Sequence, residues 1–82
     1  MIILRKKEYL TALKVMILFI SKDSKNRAIE FKSQLDKQIN NLVNFPYKNV
    51  RDMVFKGYTI TYFIENEKDR ISILDIYKWI DK

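Results

Sequence analysis

The stretch that decides the fold is Arg51-Asp-Met-Val-Phe-Lys-Gly-Tyr-Thr-Ile-Thr-Tyr-Phe-Ile64, completed by Ile71-Ser-Ile-Leu-Asp-Ile-Tyr-Lys-Trp79. The single glycine of the chain, Gly57, separates two runs that are rich in β-branched and aromatic residues, and a third run follows six residues later. Runs at this spacing predict a three-stranded antiparallel meander.

The turn at Lys56-Gly57 predicts the register of the first two of these strands, with Phe55 opposite Tyr58. Side chains alternate along a strand, so each face can be read from this register. One face is bulky and is predicted to be core: Met53, Phe55, Tyr58, Ile60, Tyr62 and Ile64. The other face is more polar and is predicted to be free for solvent or a ligand: Asp52, Val54, Thr59, Thr61 and Phe63. The last run, 71–77, is apolar on both faces, which predicts a central strand that pairs with the first strand as well as the third.

The front half of the chain predicts a short strand and two helices. Residues 2–4 are apolar and suit the strand. Residues 7–20 are apolar nearly all round, which predicts a helix buried on more than one side, by the sheet and the second helix, with a partner as a further candidate. Four of its apolar residues recur at helical spacing and are expected to form the buried stripe: Leu10, Leu13, Ile17 and Ile20.

A polar break at 21–24 separates this helix from an amphipathic one over 26–43, which ends at Asn44-Phe45-Pro46. Asp23 or Ser24 is predicted to cap the second helix. Together the patterns predict a single α+β domain over residues 1–82, with a helical hairpin packed on one face of a sheet.

Composition narrows the chemistry. The 82 residues contain no Cys and no His, which excludes disulfides, most zinc sites and every nucleophile–His triad. No cofactor or metal is predicted, because Glu65, Glu67 and Asp69 are interleaved with cations in a hairpin loop and suit a solvated turn better than a metal site. The apolar run near the N-terminus is broken by Lys14 and has no small-residue cleavage site, so a cytoplasmic protein is predicted, with no membrane partner.

The net charge of +6 is unevenly distributed. Residues 1–48 carry ten basic and four acidic side chains, whereas residues 49–82 carry six of each. A basic helical layer can follow phosphates or dock an acidic partner. The plain alternative is a solvated helix surface, and the charges alone do not choose between them.

The candidate functional residues lie on or near the predicted sheet. Without His or Cys, acid–base and electrostatic chemistry falls to Lys, Arg, Tyr and carboxylates. The catalytic candidates are Arg51, Lys56 and Lys78, and the candidates for contact with a substrate or target are Thr59, Tyr77 and Trp79. Trp79 can equally close the core. Asp75 lies in an apolar strand and is expected to need a partner, for which Arg51 and Arg70 are the candidates.

The order of these elements resembles the RelE/ParE toxin superfamily over nearly the whole chain. The resemblance is carried by the helical hairpin that ends in Asn44-Phe45-Pro46, the Arg51-Asp52 pair, Gly57-Tyr58-x-Ile60-x-Tyr62 and Ile73-Leu74-x-Ile76. It implies the toxin half of a type II toxin–antitoxin module, neutralised by a cognate antitoxin. RelE-like members cleave mRNA on the ribosome, and ParE-like members inhibit DNA gyrase on the same fold.

The chain departs from the RelE-like pattern at positions that bear on activity. Thr59 stands where those nucleases typically carry an Arg, and Lys78 is the one cation after the final strand. The connection at 47–50 is also shorter than in many relatives. The resemblance therefore leaves two expectations, a growth-inhibiting toxin or a non-catalytic interaction module that kept the fold and lost toxicity.

Overall fold

The computed structural model of the chain describes residues 2–44 and 50–78, although not the side chains of Val50 and Arg51. In chain order the elements are β1 (Ile2–Arg5), α1 (Lys7–Asp23), α2 (Lys25–Asn40), a 3-10 turn (Asn41–Asn44), β2 (Val50–Phe55), β3 (Tyr58–Glu65), a second 3-10 turn (Asn66–Lys68) and β4 (Arg70–Lys78). The described part is thus α+β, with two helices and a four-stranded sheet, and the coarse fold prediction is confirmed.

The sheet is mixed, with strand order β1-β4-β3-β2. β2 with β3 and β3 with β4 are antiparallel, whereas β1 runs parallel to β4. The predicted antiparallel meander therefore describes the sheet incompletely. Parallel neighbours need a long connection, and here the helical hairpin together with β2 and β3 supplies it. The prediction that β4 is a central strand is confirmed, because it pairs with both β1 and β3.

The hairpin between β2 and β3 has the register that its turn predicts. Phe55 pairs with Tyr58, and the pairing continues to Arg51 opposite Tyr62. Lys56 and Gly57 both have positive φ, 49° and 85°, as a two-residue hairpin turn of type I′ requires. Glycine adopts this conformation without the steric cost that a side chain adds. One residue choice at position 57 therefore sets which side chains face the core.

A bulge in β4 explains why this strand is apolar on both faces. Thr61 pairs with Asp75 and the next residue, Tyr62, pairs with Ile73, so that Leu74 has no partner on β3. In a regular strand, residues three positions apart face opposite sides of the sheet. The extra residue in β4 reverses this alternation, so Ile73 and Ile76 both face the core and are buried. Sequence alternation alone does not locate such a shift.

The two helices meet at one residue, Ser24, and the predicted four-residue break at 21–24 is wrong. Ser24 is extended, at φ −161° and ψ 121°, and its side chain accepts a hydrogen bond from the N–H of Arg27 at 3.2 Å. Ser24 is thus the predicted cap, and one capped residue suffices to reverse the chain. The second helix also ends earlier than predicted, at Asn40, and continues as a 3-10 turn through Asn44. Phe45 and Pro46 lie outside the described residues.

The helices cover one face of the sheet and share one core with it. Its fully buried members come from both layers: Tyr9, Leu35, Ile39, Ile60, Ile71, Ile73 and Ile76. Ile64 and Tyr62 are buried as predicted, and Met53, Phe55 and Tyr58 pack against the same cluster.

The prediction that the first helix is covered by both the sheet and the second helix is confirmed, because α1 contacts β4 and α2. Leu13 is buried and Ile17 and Ile20 pack against the core as predicted, whereas Leu10 of the predicted stripe is exposed. Three further apolar residues of the same helix are exposed as well: Val15, Leu18 and Phe19. A helix on the outside of a two-layer domain keeps one side open, and the apolar residues on that side are uncovered in the described chain.

Candidate functional site

The face of the sheet away from the helices, called here the outer face, carries exposed apolar side chains. Ile2 and Leu4 of β1, Val54 of β2, Phe63 of β3 and Tyr77 of β4 all lie on it and are exposed. Apolar side chains grouped on an open sheet are typical of a contact surface. Val54 and Phe63, which the sequence assigns to the face that is free for solvent or a ligand, are thus exposed as predicted.

Thr59 and Tyr77, two predicted contact residues, are direct cross-strand neighbours on the outer face. Tyr77 is exposed, but Thr59 is only 5% exposed. Val54 pairs with Thr59 from the other side, so that larger neighbours flank the threonine on both strands. The expectation that Thr59 is free for a ligand is wrong, since its hydroxyl is buried and has no hydrogen-bond partner among the described residues.

Lys56 and Lys78, two predicted catalytic residues, lie at the turn end of the sheet but towards its helix-covered side. The Lys56 Nζ lies 5.6 Å from the centre of the Phe55 ring, and Lys78 pairs with Tyr58; both aromatic residues pack against the core. Among the described strands, Arg70 is the one cation at an outer-face position of the register. The structure therefore brings the two lysines to one end of the sheet, but not to the face that carries Tyr77.

Two of the predicted site residues fall wholly or partly outside the described residues. The backbone of Arg51 pairs with Tyr62, and its side chain is not described. Trp79 and the short connection at 47–49 lie outside the description altogether. The roles suggested for Arg51 and Trp79 stay predictions.

Glu65, Arg70 and Ser72 form a hydrogen-bonded polar cluster on the outer face. The Arg70 Nε donates to the Glu65 Oε2 at 2.7 Å, and the Ser72 Oγ donates to the same oxygen at 2.9 Å. These bonds, led by the one from Arg70, lower the pKa of Glu65 from near 4.5 to about 2. Arg70 is thus engaged by Glu65 and not by Asp75, whose carboxylate accepts from the N–H of Ile76 at 2.8 Å.

Glu65 gives the protein an acid-sensitive contact. Because its pKa is lowered in the fold, its stabilising contribution is present above its usual pKa near 4.5 and is lost as the pH falls towards 2. We expect the Glu65→Gln variant to show a flatter fall of the melting temperature between pH 4.5 and 2 than the parent chain. Thermal unfolding across that range measures the difference. Glu67→Gln, in the same turn, is the control and should leave the slope unchanged; an equal change in both variants would contradict the assignment.

A groove of about 410 Å³ lies where the helical hairpin meets the β2–β3 turn. Its apolar lining comes from Phe19, Ile20, Phe31 and Tyr58, and its charged residues are two cations, Arg27 and Lys56, and two carboxylates, Asp23 and Glu30. Residue spacing along the chain does not reveal this groove, because it needs the end of α1, the start of α2 and the turn to come together. Lys56 of the β2–β3 turn and Arg27 of α2 both line this groove.

No metal or membrane element is indicated in the described ranges. No group of three or more carboxylate, His or Cys side chains is placed to hold a metal ion within residues 2–44 and 50–78. Within the same ranges neither helix has the length and apolar content needed to cross a bilayer.

Comparisons with known proteins give no relative. A scan against models of protein families finds no match to the chain, and a search of curated proteins finds no significant match either.

Proposed function

We propose that the chain is a growth-inhibiting toxin of the RelE/ParE type, which binds its target through the outer face. The motif resemblance supports this proposal, together with the order of strand, helical hairpin and sheet. The observation that carries it is a sheet with helices on one face and exposed Val54, Phe63 and Tyr77 on the other. A fold by itself does not assign function, so the properties of the outer face must decide the mechanism.

Of the two mechanisms in that superfamily, inhibition of a protein target such as DNA gyrase fits the outer face better than mRNA cleavage. Cleavage needs several preorganised positive charges around a phosphate. Arg70 is held by Glu65, and Asp52 adds negative charge where it accepts a hydrogen bond from Thr61 at 3.0 Å. An apolar face with no surplus of cations suits a protein surface, where aromatic and aliphatic anchors supply most of the binding energy.

The basic helical layer suits a neutralising partner of acidic character. Exposed cations of α2 include Lys25, Arg27 and Lys37, and the groove beside Arg27 has an aromatic lining. A cognate antitoxin with an acidic amphipathic segment would find complementary charge at these exposed cations of α2 and apolar contact in the groove, whose own charged residues are balanced in sign.

The growth test uses exposed apolar positions, because changes there leave the core intact. Induced expression of the chain without a partner is expected to arrest bacterial growth. The Val54→Asp variant is expected to weaken binding to the target at least about tenfold and thereby to restore growth, since a desolvated charge at an interface costs more than the 1.4 kcal/mol that corresponds to that factor in the dissociation constant. The matched control is Ile29→Asp on α2, which is about equally exposed and should still arrest growth.

A second pair of measurements separates the mechanisms. With a gyrase-type target, supercoiling stalls, mRNA stays intact, and the Lys56→Ala/Lys78→Ala double variant remains toxic. Cleaved mRNA on translating ribosomes, lost in that double variant, would instead support the nuclease and contradict the choice made above.

The alternative function is a non-catalytic interaction module on the same fold. The separation of Lys56 and Lys78 from Tyr77, and the burial of Thr59, favour it. Its test is the parent chain itself, because normal growth at full expression of a folded protein would support the module and overturn the toxin.

A further inference from the structure

The outward side of α1 carries an uncovered apolar row. Leu10, Val15, Leu18 and Phe19 are between 48% and 65% exposed. Val15, Leu18 and Phe19 are spaced by three and four residues, which places them on one side of the helix. A contiguous apolar surface of this kind marks an interaction site, so the question is what covers it.

The charged residues at the two ends of this row are arranged with opposite signs. Glu8 and Lys22 each lie seven residues from Val15, which is about two helical turns, so that all three lie along one line. Lys7 and Asp23 flank them, each eight residues from Val15. All four are exposed, and none forms an ion pair with another residue of the described part.

We propose that α1 pairs with α1 of a second copy, antiparallel about a two-fold axis at Val15. In that arrangement Glu8 of each copy lies opposite Lys22 of the other. Two-fold symmetry repeats this contact, so the reversal of sign along the line produces two complementary pairs, whereas Lys7 and Asp23 lie on opposite flanks of the seam and do not face each other. Val15 of one copy then contacts Val15 of the other copy at the two-fold axis.

A hollow on the same side of the helix gives the arrangement a second, independent support. It has a volume of about 560 Å³ and is lined by Glu8, Thr11, Ala12 and Val15, with Lys7 and Asp75 at its border. Thr11 lies four residues before Val15, and Phe19 lies four residues after it. The axis at Val15 consequently sets the protruding Phe19 of the second copy over this hollow, as a knob over a hole.

Other occupants fit the row less well. An acidic partner segment laid along the line through Val15 would meet Lys22 at one end but Glu8 at the other, and an anionic lipid surface would meet Glu8 and Asp23 beside three exposed lysines of α1: Lys7, Lys14 and Lys22. A second copy places Glu8 against Lys22 at both ends. The 17 residues of α1 give a seam of about 25 Å, which is short for a protein interface, so we expect a dimer that dissociates on dilution.

Charge exchange tests the arrangement by sedimentation velocity over a concentration series. Glu8→Lys and Lys22→Glu should each raise the dimer dissociation constant about tenfold, because each creates two like-charge contacts per dimer. The Glu8→Lys/Lys22→Glu double variant should return to within about threefold of the parent, since the exchanged charges again lie opposite each other. Additive weakening in the double variant, or a parent that stays monomeric at several hundred micromolar, would overturn the proposal. So would tighter self-association of the Glu8→Lys variant.

Two further variants test the axis and the knob. The chain has no native cysteine, so mild oxidation of Val15→Cys should yield a disulfide-linked dimer, while the equally exposed control Val54→Cys on the outer face should not. Phe19→Ala should weaken the dimer at least tenfold, and Phe63→Ala should not change it. Equal cross-linking at both positions, or equal effects of both alanine variants, would refute the α1 pairing. Circular dichroism of each variant confirms the fold, and the outcome does not depend on whether the chain arrests growth.

Discussion

Replacing Phe31 by alanine is expected to remove about 3–5 kcal/mol from the free energy of unfolding. Phe31 is buried in α2, and its ring centre lies 5.4 Å from that of Phe55 and 5.2 Å from that of Tyr58. It is thus the contact that joins the helical layer to the β2–β3 hairpin. A domain of 82 residues has a total stability of about 4–12 kcal/mol, so the loss is expected to remove a quarter or more of it.

Urea unfolding followed by circular dichroism measures this loss, with Phe63→Ala as the matched control. Phe63 is a phenylalanine of β3, but it lies on the outer face of the sheet and is partly exposed. Its truncation should cost about 1 kcal/mol or less. Similar losses for the two variants would mean that the helices do not cover the face of the sheet opposite the outer face.

Raising the pH from 10 to 12 is expected to cost the parent chain about 2–3 kcal/mol more than the Tyr9→Phe variant. Tyr9 is fully buried, and burial raises the pKa of its hydroxyl from 10.0 to about 12. The nearby charge of Asp36 raises this pKa further, and Arg5 lowers it. Because the fold holds the hydroxyl protonated, its contribution is complete below pH 10 and is lost as the pH approaches 12.

The difference between parent and variant isolates Tyr9, since lysines titrate in both chains. Urea midpoints at half-unit steps from pH 9 to 12 give the two curves. The control is Tyr77→Phe, which removes an exposed hydroxyl and should track the parent. Parallel curves for the parent and Tyr9→Phe would show that the hydroxyl ionises freely and is not buried. At neutral pH the variant should be at least as stable as the parent, because the hydroxyl has no well-formed hydrogen bond among the described residues.

The sequence predicts the hairpin well because one residue constrains it. Gly57 requires a tight turn, the turn sets the register, and the register assigns Ile60 and Ile64 to the core. The bulge at Leu74 cannot be read in the same way, because an apolar residue there suits either alternation. The parallel pairing of β1 is a property of the whole topology and has no local signal.

The helices show where pattern reasoning is weakest. Ten of the 12 residues from Tyr9 to Ile20 are apolar, so periodicity does not fix the edge of the buried stripe. Leu13, Ile17 and Ile20 pack in or against the core as predicted, but Tyr9 is buried in place of Leu10. The candidate site has the same weakness. Thr59 is correctly placed on the outer face, but the sequence assigns Tyr77 to no face, and spacing does not show that larger neighbours bury Thr59 or that Lys56 lies over the Phe55 ring.

Thiol labelling of two adjacent positions tests most directly whether the sheet has one covered and one open face. The chain has no native cysteine, so Phe63→Cys and Ile64→Cys each carry a single thiol. Phe63 is 39% exposed and Ile64 only 4%. Under native conditions the Phe63→Cys thiol should react at close to the rate of the urea-unfolded chain, and the Ile64→Cys thiol at least about a hundredfold more slowly, because labelling there requires opening of the core. Equal protection at both positions would contradict the open outer face and, with it, the proposed contact surface.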